Sequence, residues 1–337
     1  MSVSLDALFE TIVAPVGGDA GKPLYAVLPV PGYQSYFVGK DRDSYACLLI
    51  TTADFSRRQP PPIRLESLDV QFGLPCHIKK AHEPDQEERF TVIRCRSLDY
   101  EIVRYFLFIC NAVLRIVGDR PAQHAVASAV HRLAAIFQKT QKPPARTING
   151  LFGELYLIYR STNPVRTLTA WRTDETARFD FIEGDVCLDV KTTTGRVRAH
   201  SFSYEQCNSP PNTLSIVVSM FVERVSRGIT LRTLIDDILG VVASDMDLAL
   251  KLHEVTAATL GTSIKEAMEL AFDVTLTDTS LRFFNLADVP SVRGPLPTGV
   301  SDVRFRSDLS ALEDLSVQAL IDLDPIFRDL LPRQSET

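Results

Sequence analysis

The stretch RFDFIEGDVCLDVKTTT, residues 178–194, constrains the fold of this chain more than any other segment. Polar and apolar side chains alternate in two short runs on either side of Gly184-Asp185, which is the pattern of two half-buried strands. A two-residue loop that begins with glycine fits a type II′ turn, because glycine readily adopts the positive φ of the first central position. The segment therefore predicts a β-hairpin in which Glu183 pairs with Val186.

The register of this hairpin sorts its side chains onto two faces. One face is apolar and predicts contact with the core; it carries Phe179, Phe181, Val186, Leu188 and Val190. The other face carries Arg178, Asp180, Ile182, Cys187, Asp189 and Lys191. On that face Asp180 is opposite Asp189, and directly opposed Cβ atoms lie about 4.5 to 5.5 Å apart. The hairpin is thus expected to bring two carboxylates face to face, with a lysine beside them.

Two opposed carboxylates repel each other unless a cation lies between them. A divalent ion is the natural candidate, since Mg²⁺ prefers oxygen ligands and is commonly held by one or two carboxylates together with a substrate phosphate. Lys191 is placed to orient or deprotonate a water, or to stabilise charge on the phosphorus. The pattern favours phosphodiester hydrolysis. The alternative is an ordinary surface network, in which Arg178 and Lys191 pair with the aspartates and contribute little.

Composition and charge limit the class of protein. With 337 residues and 45% apolar content the chain can bury a sizeable core, and a net charge of −6 provides no global basic field for nucleic acid. Any site for a polyanion must be local. No secretory signal is indicated at the start, and no apolar run is long enough for a membrane span. Six cysteines without a CxxC pair predict free, buried thiols in a reducing cytoplasm.

The pattern along the chain predicts four segments. Residues 1–97 contain strand-like runs divided by polar turns and predict a β-rich N-terminal domain. Residues 98–144 predict a helical connector, residues 145–230 a core that contains the hairpin, and residues 231–337 an extension of helices and short strands.

The two central segments are defined by changes in period. Apolar residues recur with helical spacing over 98–118 and 122–140, and the proline-rich QKPPAR, residues 141–146, marks the preferred boundary. A further helical stripe covers 146–162. After it come four runs with the length and residue types of strands, TLTAWRT, RFDFI, VCLDVKTT and TLSIVVSMFVERV. The predicted order is helix, three strands, a short connection and a strand.

At these residues the sequence resembles the PD-(D/E)XK nuclease superfamily. The motif stands here as Asp180, eight intervening residues and Asp189-Val190-Lys191, with Phe179 where the superfamily name has proline. The resemblance implies an α/β (α+β) restriction-endonuclease-like core of a helix, a three-stranded antiparallel meander, a helix and a further strand. Glu154 in FGELYLIY is similar to the acidic residue that many members carry on the first helix. The implied catalytic residues are Asp180, Asp189, Lys191 and Glu154, and the implied ligands of Mg²⁺ or Mn²⁺ are Asp180, Asp189 and Glu154.

The segment RVRAHSFSYEQ, residues 196–206, follows the lysine strand, where a nuclease of this type would meet the phosphate backbone. The expected nucleic-acid contacts in it are Arg196, Arg198, His200, Ser203 and Gln206. His200 is also a candidate for a third catalytic group. Gln206 is similar to a glutamine found after the lysine in some restriction enzymes of this superfamily.

More narrowly, INGLFGELYLI, RFDF, DVKTTT and HSFSYEQ resemble, in this order, a bacterial family of PD-(D/E)XK motif proteins associated with restriction and phage-defence loci. This implies DNA as substrate and, as operon partners, a DNA methyltransferase, a helicase-like ATPase or a histidine-kinase-type ATPase. We therefore expect a cytoplasmic, metal-dependent DNA endonuclease without a membrane partner. Two alternatives stay open: a non-catalytic nuclease-fold subunit of a defence complex, and a nuclease acting on RNA or on nucleic-acid ends. The oligomeric state also stays open.

Overall fold

The structure is a computed structural model that describes residues 5–16, 23–54, 59–80, 86–140, 147–174, 176–208 and 212–332. The chain divides into two compact units, residues 1–141 and 142–337, and both contain helices and strands. The predicted boundary QKPPAR lies outside the described residues. Within the ranges just given, no helix combines the length and the apolar character that a membrane span requires.

The first unit is built on a closed ring of five strands. Its elements are α1 (Leu5–Glu10), β1 (Leu24–Pro29), β2 (Tyr36–Asp41), β3 (Ala46–Ile50), β4 (Ile63–Arg64), β5 (Leu68–Lys80), β6 (Gln86–Cys95), α2 (Tyr100–Val117) and α3 (Gln123–Lys139). The strands pair in the order β1-β2-β3-β6-β5-β4, and β1 also pairs in parallel with β5, which closes the ring. The two helices predicted over 98–118 and 122–140 are confirmed as α2 and α3.

The second unit contains the hairpin. Its first half has α4 (Ile148–Arg160), α5 (Pro164–Ala170), β7 (Phe181–Glu183), β8 (Val186–Thr193), β9 (Ala199–Ser203), α6 (Tyr204–Cys207) and β10 (Leu214–Phe221). Its second half has β11 (Arg224–Val225), β12 (Ile229–Thr230), α7 (Leu231–Val241), α8 (Met246–Leu260), α9 (Ile264–Met268), β13 (Ala271–Phe272), α10 (Val274–Ser280), β14 (Arg282–Asn285), β15 (Arg304–Asp308), α11 (Val317–Leu323) and α12 (Phe327–Leu330). The main sheet has the order β14-β10-β8-β7, and smaller sheets pair β11-β13-β12 and β9-β15.

The strand predicted over TLTAWRT is wrong, because most of this run forms α5. The Asn163 side chain accepts the backbone N–H of Arg166 at 3.1 Å, and Pro164 occupies the first turn, where its missing N–H costs nothing. Beyond the helix, Trp171 forms an isolated bridge with Phe181. The first strand of the implied meander is therefore a helix followed by one bridge, while β7 and β8 are antiparallel and β8 and β10 are parallel.

Helix α4 packs closely on β8 because Gly153 has no side chain. A Cβ atom at this position would collide with Thr192 Cγ2 and would lie 3.0 Å from Val190 Cγ1. Both partners belong to β8 and flank Lys191 on the strand, while Glu154 follows Gly153 on the helix. The glycine therefore sets how near Glu154 comes to the lysine strand.

We expect Gly153→Ala to lower the free energy of unfolding by about 1 to 3 kcal/mol, because overpacking against a strand outweighs the roughly 1 kcal/mol that alanine adds to a helix. Gly240→Ala on α7 is the matched control, since a Cβ atom there meets no atom within 4 Å. The control is expected to keep or raise stability. Urea unfolding of the three proteins measures both, and a Gly153→Ala protein as stable as the control would contradict the close packing.

Candidate active site

The hairpin has the register that its alternation predicts. Three Cα pairs are formed, Phe181 with Leu188, Ile182 with Cys187 and Glu183 with Val186. Gly184 begins the loop with a φ of +60°, a conformation that glycine adopts without strain. The predicted turn position and the pairing next to it are confirmed.

Asp180 leaves the regular ladder one residue beyond the last of these pairs. Its backbone N–H donates to the Leu188 carbonyl oxygen at 3.0 Å, and its Oδ2 accepts the backbone N–H of Val190 at 2.9 Å. The carboxylate thus accepts a hydrogen bond that a backbone carbonyl would accept in an uninterrupted antiparallel ladder. Asp180 is only 3% exposed, so these bonds are made in a protected environment.

This irregularity changes the side on which Phe179 lies. The alternation predicts that Phe179 and Cys187 lie on different faces of the hairpin, and this is wrong, because both residues belong to one apolar cluster with Phe202 and Val217. The hydrogen bond from Asp180 to Leu188 is one residue out of the hairpin register. The period-two alternation therefore does not continue into Phe179.

A buried arginine joins Glu154 to Asp180. Arg172 Nη2 donates to Glu154 Oε1 at 3.2 Å and to Oε2 at 3.0 Å, and Arg172 Nε donates to Asp180 Oδ1 at 3.3 Å. Trp171 Nε1 also donates to Glu154 Oε2, at 2.7 Å. The side chains of Arg172, Glu154 and Asp180 are 2%, 3% and 4% exposed. A guanidinium group is permanently charged and carries several donors in one plane, so Arg172 can hold both carboxylates at once.

Asp189 is held by a lysine and a glutamine. Lys191 Nζ lies 2.8 Å from Asp189 Oδ2, and Gln206 Nε2 donates to Oδ1 at 3.2 Å. The same Nε2 also donates to the Arg178 carbonyl oxygen at 2.6 Å. Gln206 Oε1 accepts the backbone N–H of Ser203, whose Oγ accepts the backbone N–H of Gln206; this capping box begins α6. The cap therefore fixes the Gln206 amide against Asp189.

The surface network that the sequence left open differs from this arrangement. Lys191 does pair with Asp189, but the arginine that pairs with Asp180 is Arg172, while Arg178 is exposed. Both aspartates are 3% exposed, so the network is a buried one. Sequence reasoning missed Arg172; the signal available was a charged residue directly after the tryptophan of a run otherwise suited to a strand.

The chemistry of the donor set suits a hard metal ion. Three buried carboxylates, Glu154, Asp180 and Asp189, accompany two cations, Arg172 and Lys191, so these five residues carry a formal charge of 2 − 3 = −1. An excess of buried negative charge favours a cation, and two carboxylates with a substrate phosphate are a common Mg²⁺ site. In the described ranges, no three His, Cys, Asp or Glu side chains come close enough to hold a metal ion. The residues therefore fit a site of two aspartates completed by substrate, and ligation by Glu154 stays a prediction.

Two of the predicted nucleic-acid contacts, Arg196 and Arg198, differ in their exposure and in the partners they bind within the chain. Arg198 Nη1 donates to the Ser219 carbonyl oxygen at 3.1 Å and to Ser219 Oγ at 2.8 Å, and Nη2 donates to the Ser280 carbonyl oxygen. Burial lowers the pKa of Arg198 from its usual value. Arg196, in contrast, is exposed and pairs with Glu223 at 2.7 Å. Phosphate contacts by either residue stay predictions, and for Arg198 they would compete with three internal bonds.

His200 is 4% exposed, and its Nε2 lies 2.8 Å from Ser219 Oγ. Burial, assisted by the nearby charges of Lys191 and Arg198, lowers the pKa of His200 to about 4. The imidazole is therefore neutral at pH 7 and offers no charge to a phosphate. Its proposed catalytic or phosphate-binding role stays a prediction.

A model of the protein family described as "Putative PD-(D/E)XK family member, (DUF4420)" matches residues 24–310. The matched range includes α4, the hairpin and α6, and with them each residue of the site described above. No curated protein and no solved structure matches the chain.

Proposed function

The chain belongs to the PD-(D/E)XK family whose model covers residues 24–310, and from this membership we propose that it is a metal-dependent endonuclease that hydrolyses phosphodiester bonds in DNA. The observation that supports the proposal best is the ion pair between the buried Asp189 and the partly exposed Lys191, 2.8 Å apart on β8, with Asp180 on the preceding strand segment. A lysine beside carboxylates that can hold a metal ion suits hydrolysis of a phosphodiester, because negative charge develops on the phosphoryl oxygens.

Asp180 and Asp189 are the residues that would hold Mg²⁺ or Mn²⁺, which when bound supplies Lewis-acid stabilisation of a phosphoryl oxygen. Lys191 keeps 19% of its side chain exposed, so its ammonium can approach a phosphate while it remains paired with Asp189. Its role is to orient water and to stabilise developing negative charge. Gln206 holds the Asp189 carboxylate in place from the other oxygen.

Arg172 has a positioning role in this proposal. It binds Asp180 Oδ1 and both oxygens of Glu154, so Glu154 supports the site through the arginine. Buried side chains whose hydrogen bonds are made within the chain cost little reorganisation when substrate binds. Asp180 is thereby preorganised from two directions, by Arg172 and by the Val190 backbone.

We place this activity in the cytoplasm, within a bacterial restriction or phage-defence system. The support is the resemblance of the motif order to proteins of such loci. The net charge of −6 disfavours strong solitary binding to DNA. A methyltransferase, a helicase-like ATPase or a histidine-kinase-type ATPase would then load the enzyme onto its substrate.

One observation favours a second candidate, a non-catalytic subunit that keeps the nuclease fold for assembly. Arg172 already neutralises buried carboxylate charge between Glu154 and Asp180, which is a role that a metal ion would share. A chain that works by binding other proteins needs these charges only for stability.

We expect Asp189→Asn to lower Mg²⁺-dependent cleavage of supercoiled DNA at least 100-fold, because it removes the charge that binds both metal and Lys191. Asp185→Asn, at the exposed tip of the same hairpin, is the matched control and should cleave like the wild type. Metal binding is measured separately, by the quenching of Trp171 fluorescence on addition of Mn²⁺. Trp171 is the only tryptophan of the chain, and its indole N–H donates a hydrogen bond to Glu154. Cleavage by neither the wild type nor the variants, with equal quenching, would favour the assembly role, and full cleavage by Asp189→Asn would remove Asp189 from the proposed site.

A further inference from the structure

A two-stranded antiparallel ribbon formed by β9 and β15 lies next to the candidate site. Ala199–Ser203 pairs with Arg304–Asp308 in a register that sets Arg304 opposite Ser203 and Arg306 opposite Ser201. The two strands are separated by about a hundred positions in the sequence, so that the ribbon exists only in the folded chain.

The ribbon has an apolar face and a polar face. His200 and Phe202 of β9 are 4% and 1% exposed, and the Phe202 ring packs against Phe305 of β15, 6.4 Å between centroids. The alternate residues point the other way, since successive side chains of a strand lie on opposite sides. Of these, Ser201, Arg304 and Arg306 are exposed, and Ser203 is half-buried.

The ribbon is tied to the site at two points. Lys191 Nζ lies 5.2 Å from the centroid of the Phe202 ring, so the lysine rests against the inner face of β9. At the end of β9, Ser203 forms the cap with Gln206, whose amide binds Asp189. The lysine is on the inner side of the ribbon, so a ligand on the outer face would be separated from it by the thickness of the ribbon and would be linked to the Asp189 carboxylate through the Ser203–Gln206 cap.

The exposed arginines of the ribbon are accessible to a ligand in solution, whereas Arg198, just before β9, makes hydrogen bonds within the unit. The Arg198 guanidinium group is bonded to Ser219 and Ser280 inside the unit. On β15, two exposed arginines face outward with one acid, Asp308, at the far end of the strand, whose carboxylate accepts the backbone N–H of Ser310 at 2.9 Å. The outer face of the ribbon thus carries two positive charges against one negative charge, in a chain of net charge −6.

We propose that this outer face binds duplex DNA, with Arg304 and Arg306 contacting the phosphate backbone; the proposal rests on the nuclease function above. A two-stranded β-ribbon has the width that the major groove admits, and arginine is a preferred partner of phosphate. Single-stranded nucleic acid is usually held by stacking on aromatic rings. Both aromatic residues of the ribbon, Phe202 and Phe305, pack against each other on the inner face, so the outer positions offer serine and arginine without a stacking platform.

The test measures binding of a fluorescently labelled 20-base-pair duplex in EDTA, so that no cleavage is required. Arg304→Ala/Arg306→Ala is compared with Arg227→Ala/Arg328→Ala, a pair of exposed arginines of the same unit that changes net charge equally. We expect the ribbon variant to bind more weakly and to reduce the slope of log K against log salt by about 2, one unit for each lost phosphate contact, while the control pair keeps the wild-type slope. Equal affinity and slope in both double variants would overturn the proposal, and so would a wild type that does not bind the duplex.

Two further arms separate this proposal from the nuclease function. If the slope of log K against log salt depends on the ribbon arginines but the protein does not cleave DNA, the DNA-binding surface is supported and the nuclease function is refuted. If cleavage depends on Lys191, and the ribbon variant binds and cuts the duplex as well as the wild type does, the DNA-binding surface is refuted and the nuclease function is not. Tighter, arginine-dependent binding of a matched RNA duplex or of single-stranded RNA would overturn the assignment to duplex DNA.

Discussion

Lys191→Met is expected to lower the cleavage rate by about 10² to 10⁴-fold, the range for removal of one charged or proton-transferring group from a hydrolytic centre. Methionine keeps an unbranched apolar stem against Phe202 and removes the ammonium 2.8 Å from Asp189 Oδ2. The loss is expected in kcat with little change in KM, because the group acts on charge that develops in the transition state. Single-turnover cleavage of supercoiled DNA in Mg²⁺ measures the rate.

Folding must be matched for this comparison, since Asp189 is left without its lysine partner in a buried position. Thermal unfolding of each preparation provides the check, and Lys265→Met, on the exposed side of α9, is the control for loss of one lysine. Lys191→Arg keeps the charge but replaces a compact ammonium with a planar fork, so we expect partial activity at most. Wild-type cleavage by Lys191→Met would remove the lysine from the proposed mechanism.

Arg172→Met is expected to lower the free energy of unfolding by about 3 to 5 kcal/mol, because it leaves Glu154 and Asp180 as buried charges without their shared cation. For a unit of this size that corresponds to a fall in Tm of roughly 6 to 20 °C. Cleavage is expected to fall as well, since Asp180 loses one of the two groups that orient it. Calorimetry and the cleavage assay at a temperature below both transitions measure the two effects separately.

Arg166→Met provides the matched control for this prediction. Arg166 also bridges two carboxylates, Glu183 at 3.2 Å and Asp329 at 2.8 Å, but its side chain is 41% exposed, so a much smaller change is expected. The double variant Glu154→Gln/Arg172→Met should recover part of the lost stability, because one of the two orphaned charges is gone. If Arg172→Met unfolds like Arg166→Met, the buried arginine does not hold the site together.

Local periodicity predicts the central hairpin well and its surroundings poorly. The turn at Gly184 and the alternation beside it are sufficient for the register of β7 and β8. The same alternation fails at Phe179, because the Asp180 carboxylate competes with the backbone for the N–H of Val190. Polar side chains that bond to the backbone end regular pairing, and a binary pattern contains no information about that competition.

The missed elements depend on capping or on contacts remote in sequence. The threonines of α5 and the tryptophan that follows it favour a strand, whereas Asn163-Pro164 is a helix-start signal. No local pattern indicates that Arg172 bonds to Glu154, eighteen positions earlier, or that β15 pairs with β9. Such partners become visible only when the chain is folded, since each depends on packing between elements far apart in the sequence.

The six cysteines are all free and buried, and this makes them useful reporters. Burial raises the pKa of the Cys76 thiol to about 12 and those of Cys95 and Cys187 to about 11, so at neutral pH the reactive thiolate is scarce. Cys47, Cys76, Cys95 and Cys110 belong to the first unit, whereas Cys187 and Cys207 lie in the apolar cluster of the second. Alkylation followed by measurement of the intact mass thus reports the opening of each unit: four adducts mark exposure of the strand ring and α2 of the first unit, and two mark exposure of the hairpin region.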